Sequence, residues 1–137
     1  DESLGGLFGA HLIEHLAPQQ LADLVRLAQS RLQPGAYLAF ETPNPLCLWA
    51  LVNYFYLDMS HVKPVHPQAV AFVLEMHGFR NVEIRYLHPV PEGVRMVPLP
   101  DAAGTPWEPF AAAMNSNLQR LNELLYGYAD YAIVAQK

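Results

Sequence analysis

Residues 4–10 form a run of small and apolar side chains without alternation, which predicts a short strand buried on both faces, as in a parallel sheet. The period then changes. Pro18 stands at a first helical position, and Leu21, Leu24, Val25, Ala28 and Leu32 recur at helical spacing until Gln33-Pro34-Gly35 stops the helix. Residues 36–41 give a second strand, closed by Thr42-Pro43-Asn44-Pro45, whose prolines oppose further pairing. Strand, helix, strand in this order predicts a right-handed crossover between parallel strands. Residues 46–56 predict an apolar and aromatic helix carrying Trp49, Tyr54, Phe55 and Tyr56, suited to cover a pocket. A polar, proline-bounded loop over 58–67 leads to a helix over 68–76 that stops at Gly78. Residues 80–87 alternate as a strand. The stretch 88–110 carries six prolines in twenty-three residues and predicts a long irregular connection. A helix over 109–125 and a strand over 128–135 follow, and the last two strands are expected to pair as an antiparallel hairpin with an expanded connection.

At 137 residues the chain is one domain's worth, short for a complete cofactor-binding α/β enzyme. It opens at Asp1 without an initiating Met and reaches a strand at once, which suggests a fragment of something longer. A hydrophobic content of 52% with 15% charged residues fits a piece that packs against further sequence. A formal charge of −5 with only 8 Lys and Arg argues against duplex nucleic acid as a partner. The lone Cys47 excludes an internal disulfide and suits the cytoplasm. No apolar run is long enough to span a membrane, and no secretory signal pattern opens the chain.

His11-Leu12-Ile13-Glu14-His15 is the densest candidate chemistry. On a helix, His11 would share a face with Glu14 and His15. The letters spell H-x-x-E-H, the inverted zinc-protease motif. In that reading His11 and His15 are ligands, Glu14 is the base, and Glu75 or Glu83 is a third ligand. Such a motif needs a continuous helix, whereas Gly5, Gly6 and Gly9 precede it and Pro18 follows closely. His61, in a loop with Asp58, is a candidate general base, and His66 before Pro67 reads as a helix cap. Trp49, Tyr54 and Tyr56 read as lid packing or as a ring-stacking wall. Tyr126, Tyr128 and Tyr131 read as packing around the final strand. His77 and His88 have no companions in sequence and read as chemically idle, and Cys47 reads as apolar packing.

Gly9-Ala10-His11-Leu12-Ile13-Glu14-His15-Leu16, the turn Leu32-Gln33-Pro34-Gly35-Ala36-Tyr37-Leu38 and Glu41-Thr42-Pro43-Asn44-Pro45 together resemble class I S-adenosylmethionine-dependent methyltransferases. The stretch 55–64, Phe-Tyr-Leu-Asp-Met-Ser-His-Val-Lys-Pro, is similar to the Y-x-D-P-T-H-x-x-P loop of bacterial members, often those acting on sugars or surface polysaccharides. Gly78-Phe79 before an alternating strand matches the family's exit from its penultimate helix.

The resemblance implies an α/β, Rossmann-like methyltransferase sheet. The chain would be its C-terminal portion, with parallel strands and a terminal antiparallel hairpin, as a single partial domain over 1–137 with an inserted loop and helix at 88–126. The N-terminal half, with its Gly-rich turn and ribose-binding acid, would be missing, since no G-x-G-x-G occurs. A missing N-terminal half or a second chain would then complete the cofactor site, and the fragment alone is expected to be inactive.

The implied activity is methyl transfer from S-adenosylmethionine to a small-molecule or saccharide hydroxyl, with Ala10, His11 and Leu12 beside the cofactor and acceptor selection in 88–126. Quinone-pathway O-methyltransferases and small-RNA 3′-terminal methyltransferases carry E-x-x-E-H and a downstream histidine that hold a divalent cation. A cation at the acceptor hydroxyl lowers its pKa and orients it. Glu14 and His15 match that set, His61 is the downstream histidine, and His11 departs from it where the first glutamate would stand. His61 and His15 are therefore the implied catalytic residues, and Glu14, His15 and His61 the implied metal ligands. A non-catalytic methyltransferase-like scaffold or dimerisation module is the alternative.

Overall fold

Pro18 at the first helical position and Gln20, whose Oε1 accepts the Ala17 N–H at 2.8 Å, start α1 (Pro18–Arg31) where the apolar periodicity begins. Leu21, Val25 and Ala28 face the core. The computed structural model describes residues 2–137 and adds β1 (Leu4–Ala10), β2 (Leu32–Pro43), α2 (Leu48–Asn53), α3 (Pro67–Met76), β3 (Arg80–Pro89), α4 (Glu108–Leu125) and β4 (Tyr128–Gln136). The sheet order is β1-β2-β4-β3. β1 and β2 are parallel, and β4 runs antiparallel to both β2 and β3, so the expected terminal hairpin forms. α1 and α3 pack with β2 and β4 in one apolar cluster around Val25, Leu38, Val70, Leu74, Tyr131 and Ile133, each fully buried. No helix among the described residues is long and apolar enough to cross a membrane.

Three local expectations are corrected. β1 is not buried on both faces: among the described residues it stands at the sheet edge beside β2, most of its residues are exposed, and Phe8 is 67% exposed. β2 does not stop before its prolines, and Thr42 and Pro43 pair with Tyr131 and Asp130 of β4. Pro43 falls beyond the last β1 partner, Glu41, and the ladder resumes one residue later where the Asn44 N–H bonds Ala129 O at 2.8 Å. The helix over 46–56 is shortened to α2 and a 3₁₀ turn at Phe55–Leu57. Asn53 Nδ2 donates back to Trp49 O at 2.8 Å, an interaction that competes with continued helix.

α3 ends as its glycine requires. Gly78 has φ +89°, its N–H bonds Glu75 O, and Phe79 N–H reaches back to Leu74 O, which seats Phe79 in the core.

Candidate active site

All four strands deliver residues to one rim. His11 follows β1, Pro43 ends β2, His88 and Pro89 end β3, and Ala129 and Asp130 open β4, around a cavity of about 500 Å³ completed by Trp49, Ala50, Tyr54 and His61. This is the carboxyl end of the parallel pair β1 and β2, where open α/β sheets place ligands. Trp49 and Tyr54 meet edge to face with ring centroids 5.1 Å apart, giving one aromatic wall.

His11 is not helical. Its φ is +48°, its N–H extends the β1–β2 ladder to Glu41 O at 2.8 Å, and a single 3₁₀ turn, Ile13–His15, follows. The zinc-hydrolase reading fails on this geometry, since its helix is absent and neither Glu75 nor Glu83 joins the cluster; Glu83 pairs with Arg85 at 2.8 Å. Ala10 and Leu12, on either side of His11, are both exposed.

Glu14 is fully buried. Its Oε2 accepts the Thr42 hydroxyl at 2.8 Å, and its main-chain oxygen accepts Val62 N–H at 2.9 Å, tying the loop that carries His61 to the turn. Its Oε1 has no hydrogen bond; His11 Nδ1 lies 3.3 Å away, at ion-pair distance but without hydrogen-bond alignment. A buried carboxyl oxygen without a hydrogen bond is costly, by about 1–3 kcal/mol, until a donor or a cation meets it.

His15 and His61 meet beside it, ring centroids 4.6 Å apart. The Ser60 hydroxyl donates to Asp58 Oδ1 at 2.6 Å, so His15 Nδ1–H is the donor to Ser60 Oγ at 3.1 Å and Ser60 O at 3.2 Å. His61 Nδ1–H donates to Phe55 O at 2.6 Å. The neutral tautomer that these bonds select in each ring carries its lone pair on Nε2. The Ser60 hydroxyl, then its amide, hold the Asp58 carboxyl below its usual value. Each of Glu14, His15 and His61 offers one donor atom within 4.8 Å of the others. A buried carboxyl oxygen without a hydrogen bond and two imidazoles anchored through Nδ1 to main-chain oxygens could together ligate a divalent cation.

Other expectations are met locally. His66 caps α3 by accepting Gln68 N–H at 3.2 Å, and Cys47 is buried with Sγ 3.6 Å from Leu125 O. His77 Nδ1 bonds Val73 O at 2.8 Å within its own helix end. Tyr131 is buried in the core, its hydroxyl donating to Val65 O at 2.9 Å; burial, and then Glu14, push that hydroxyl well above its ordinary range. Tyr56 is 66% exposed and lies outside the cavity wall.

His88, without companions in the sequence, has them in the fold. It ends β3 with φ +56°, lines the cavity, and holds Nε2 3.4 Å from Glu41 Oε1. Asp130 lines the same wall, its carboxyl raised above the usual value by burial against the opposing pull of His11 and His88. No spacing in the sequence marks these groups, because only the β2–β4 and β3–β4 pairings bring Glu41, His88 and Asp130 to one place. No lysine or arginine lines the cavity among the described residues.

No family model and no curated protein matches the chain. Solved structures do. A SAM-dependent methyltransferase from Archaeoglobus fulgidus matches 100% of this chain with a TM-score of 0.91 and 37% identity, and this chain spans 61% of its length. Phosphoethanolamine N-methyltransferase 2 of Haemonchus contortus, in complex with S-adenosyl-L-methionine, matches 99% of the chain at TM-score 0.55 and 14% identity, with 34% of that protein covered. An S-adenosylmethionine-dependent methyltransferase from Mesorhizobium loti matches 99% at TM-score 0.57 and 16% identity, with 63% of that protein covered. The last two likenesses bear on the fold alone. With the mixed β1-β2-β4-β3 sheet and a match to the Archaeoglobus structure over the whole of this chain, the chain carries part of the fold of the S-adenosylmethionine-dependent methyltransferases.

Proposed function

We propose that the chain is part of an enzyme that transfers a methyl group from S-adenosylmethionine to a hydroxyl of a small-molecule or saccharide acceptor. The observation that carries this reading is the cavity at the carboxyl ends of β1 and β2, walled by Trp49, Tyr54 and three imidazoles and free of lysine and arginine among the described residues. An uncharged ring with hydroxyls suits such a wall. A phosphate would find no fixed cation there.

Methyl transfer is an in-line displacement at a sulfonium carbon, so the protein positions the acceptor and removes its proton. Ala10, His11 and Leu12 are assigned to the cofactor side, because main chain after β1 approaches the cofactor in the family this chain resembles. Glu14, His15 and His61 would hold a divalent cation, which supplies a lowered pKa at a bound hydroxyl. His61 as a free base and His61 as a ligand exclude each other, since both use the Nε2 lone pair. Its Nδ1 bond to Phe55 O and its place beside Glu14 favour ligation. His15 and His61 then enter catalysis by holding the cation.

The segment 88–126, treated as an insertion in one partial domain, would select the acceptor; Val90 and Pro91 already line the cavity. The chain contains no G-x-G-x-G, so the rest of the cofactor site is assigned to polypeptide outside it, in the same protein or a second chain, and the chain alone is expected to be inactive. A cytoplasmic, bacterial protein is part of the same reading. The alternative, a non-catalytic scaffold or dimerisation module, holds if the polypeptide outside this chain also lacks that motif.

Calorimetry with S-adenosylhomocysteine decides between them. The whole polypeptide that contains this chain is expected to bind, and the chain alone to bind weakly or not at all. An absence of binding to the whole polypeptide refutes the enzyme reading.

A further inference from the structure

We propose that His88, oriented by Glu41, accepts the proton of the acceptor hydroxyl in the rim cavity, a role that rests on the hydroxyl-methylation reading above. His88 lines the cavity and its Nε2 lies 3.4 Å from Glu41 Oε1. No other side-chain partner of the Glu41 carboxylate is found among the described residues. A carboxylate beside one ring nitrogen favours the tautomer that carries its hydrogen there, leaves the lone pair on the other nitrogen, and stabilises the imidazolium once it forms. Nδ1 of His88 is that second nitrogen.

The backbone supports the same assignment. Among the described residues, three non-glycine positions have positive φ: His11, Asn81 and His88. Both histidines line the one cavity. L-residues rarely hold this conformation, and such strain gathers at sites where a side chain must be aimed. The other imidazoles have competing duties. His61 gives Nδ1 to Phe55 O, holds Nε2 3.8 Å from Asp58 Oδ2 and belongs to the Glu14 cluster, His15 lies outside the cavity wall, and His11 faces Glu14 Oε1 at 3.3 Å. His88 has its carboxylate to itself. Across the rim Asp130, on β4, is the further acidic group whose charge is felt with those of His11, His88 and Glu41. The His88 side chain is 64% exposed and that of Glu41 22%, so the base can return its proton to solvent while its orienting carboxylate stays sheltered.

In the step, the hydroxyl proton passes to His88 Nδ1 as the acceptor oxygen bonds to the sulfonium methyl carbon. The carbon–sulfur bond breaks with its electron pair left on sulfur. The products are a methyl ether and S-adenosylhomocysteine, and His88 later releases the proton to water. Glu41 is a positioning residue, touching the base and not the acceptor.

The test uses the whole polypeptide that contains this chain, S-adenosylmethionine, and methyl α-D-mannopyranoside, methyl α-L-rhamnopyranoside and methyl β-D-glucopyranoside as acceptor probes, with release of S-adenosylhomocysteine as readout. His88→Ala is expected to lower the rate about 100-fold, the lower end for loss of a general base, with unchanged S-adenosylhomocysteine affinity. Added imidazole is expected to restore at least about tenfold, which a structural role would not allow. Glu41→Gln is expected to cost about tenfold without rescue. If His88→Ala loses cofactor affinity, His88→Gln replaces it in the same comparison. A rate within about threefold of wild type, or a loss that imidazole does not restore, overturns the role of His88 while leaving the hydroxyl reading intact. Wild-type protein that binds S-adenosylhomocysteine yet methylates none of the glycosides overturns the saccharide-hydroxyl reading and the base with it.

Discussion

Tyr131→Phe isolates the bond that fixes the His61 loop to the sheet. Tyr131 is 0% exposed and its hydroxyl donates to Val65 O at 2.9 Å, while Val65 is itself only 5% exposed. The substitution removes the donor and leaves a buried carbonyl unpaired, a cost of about 1.5 kcal/mol at neutral pH. Burial first, then Glu14 and Tyr86, raise the folded-state pKa above the ordinary 10.0. The folded protein thus keeps a proton that the unfolded chain releases. The associated stability is fully present below pH 10 and is lost as pH rises above it, by about 1.4 kcal/mol per pH unit while the folded form stays protonated. At pH 11 that loss roughly cancels the hydrogen-bond advantage, so wild type and Tyr131→Phe should be about equally stable there. Urea unfolding of both proteins at pH 7.5 and pH 11, at matched ionic strength, measures the two gaps. A gap at pH 11 as large as that at pH 7.5 refutes the linkage; no gap at pH 7.5 refutes the bond's contribution.

Glu14→Ala should abolish binding of Mn²⁺ or Zn²⁺ by calorimetry, with Glu14→Gln as the variant that keeps a partner for Thr42. Unchanged affinity in both variants, or wild-type activity indifferent to added cation and to EDTA, eliminates the cation. Gly78→Ala should lower stability by about 1 kcal/mol in urea, because an L-residue is forced to positive φ. The nearest atom to the new Cβ, Gln29 Nε2, is 3.7 Å away, so no clash enters the cost, and unchanged stability would contradict the cap assignment. Asp130→Asn should stabilise the fold at pH 7 but not at pH 3. The Asp130 carboxyl is raised by burial, so its stabilising contribution is present below its ordinary 3.8 and lost as pH rises. Equal thermal midpoints of the two proteins at pH 7 would count against that burial.

The order of elements was readable because each rests on local physics. Pro18 and Gly78 punctuate helices, and the apolar positions Leu21, Val25 and Ala28 repeat on one face that is in fact buried. What local pattern misjudged depends on neighbours. β1 is apolar like an interior strand, yet it lies at the edge in the described residues and exposes Phe8. Pro43 looked like a stop, yet it sits where a missing N–H leaves no β1 partner unpaired. For the site, the grouping of Glu14, His15 and His61 was expected only through the family resemblance, and in the fold the Glu14 main-chain oxygen anchors the loop that brings His61 beside the other two. Glu41, His88 and Asp130 were not, since three separate strands bring them together.

The departure at His11 also bears on which cation the proposed site would favour. A second glutamate there would add a hard oxygen donor; histidine removes it and leaves one carboxylate with two imidazoles. Mg²⁺ dehydrates reluctantly and prefers oxygen ligands, whereas Zn²⁺ and Mn²⁺ accept imidazole nitrogen, and Zn²⁺ more strongly. The His11 ring, 3.3 Å from the Glu14 oxygen that has no hydrogen bond, further crowds the approach that a well-hydrated ion would need. Binding ranked Zn²⁺ over Mn²⁺ over Mg²⁺ follows from this donor set, and a preference for Mg²⁺ would mean that the ligands are oxygen atoms elsewhere.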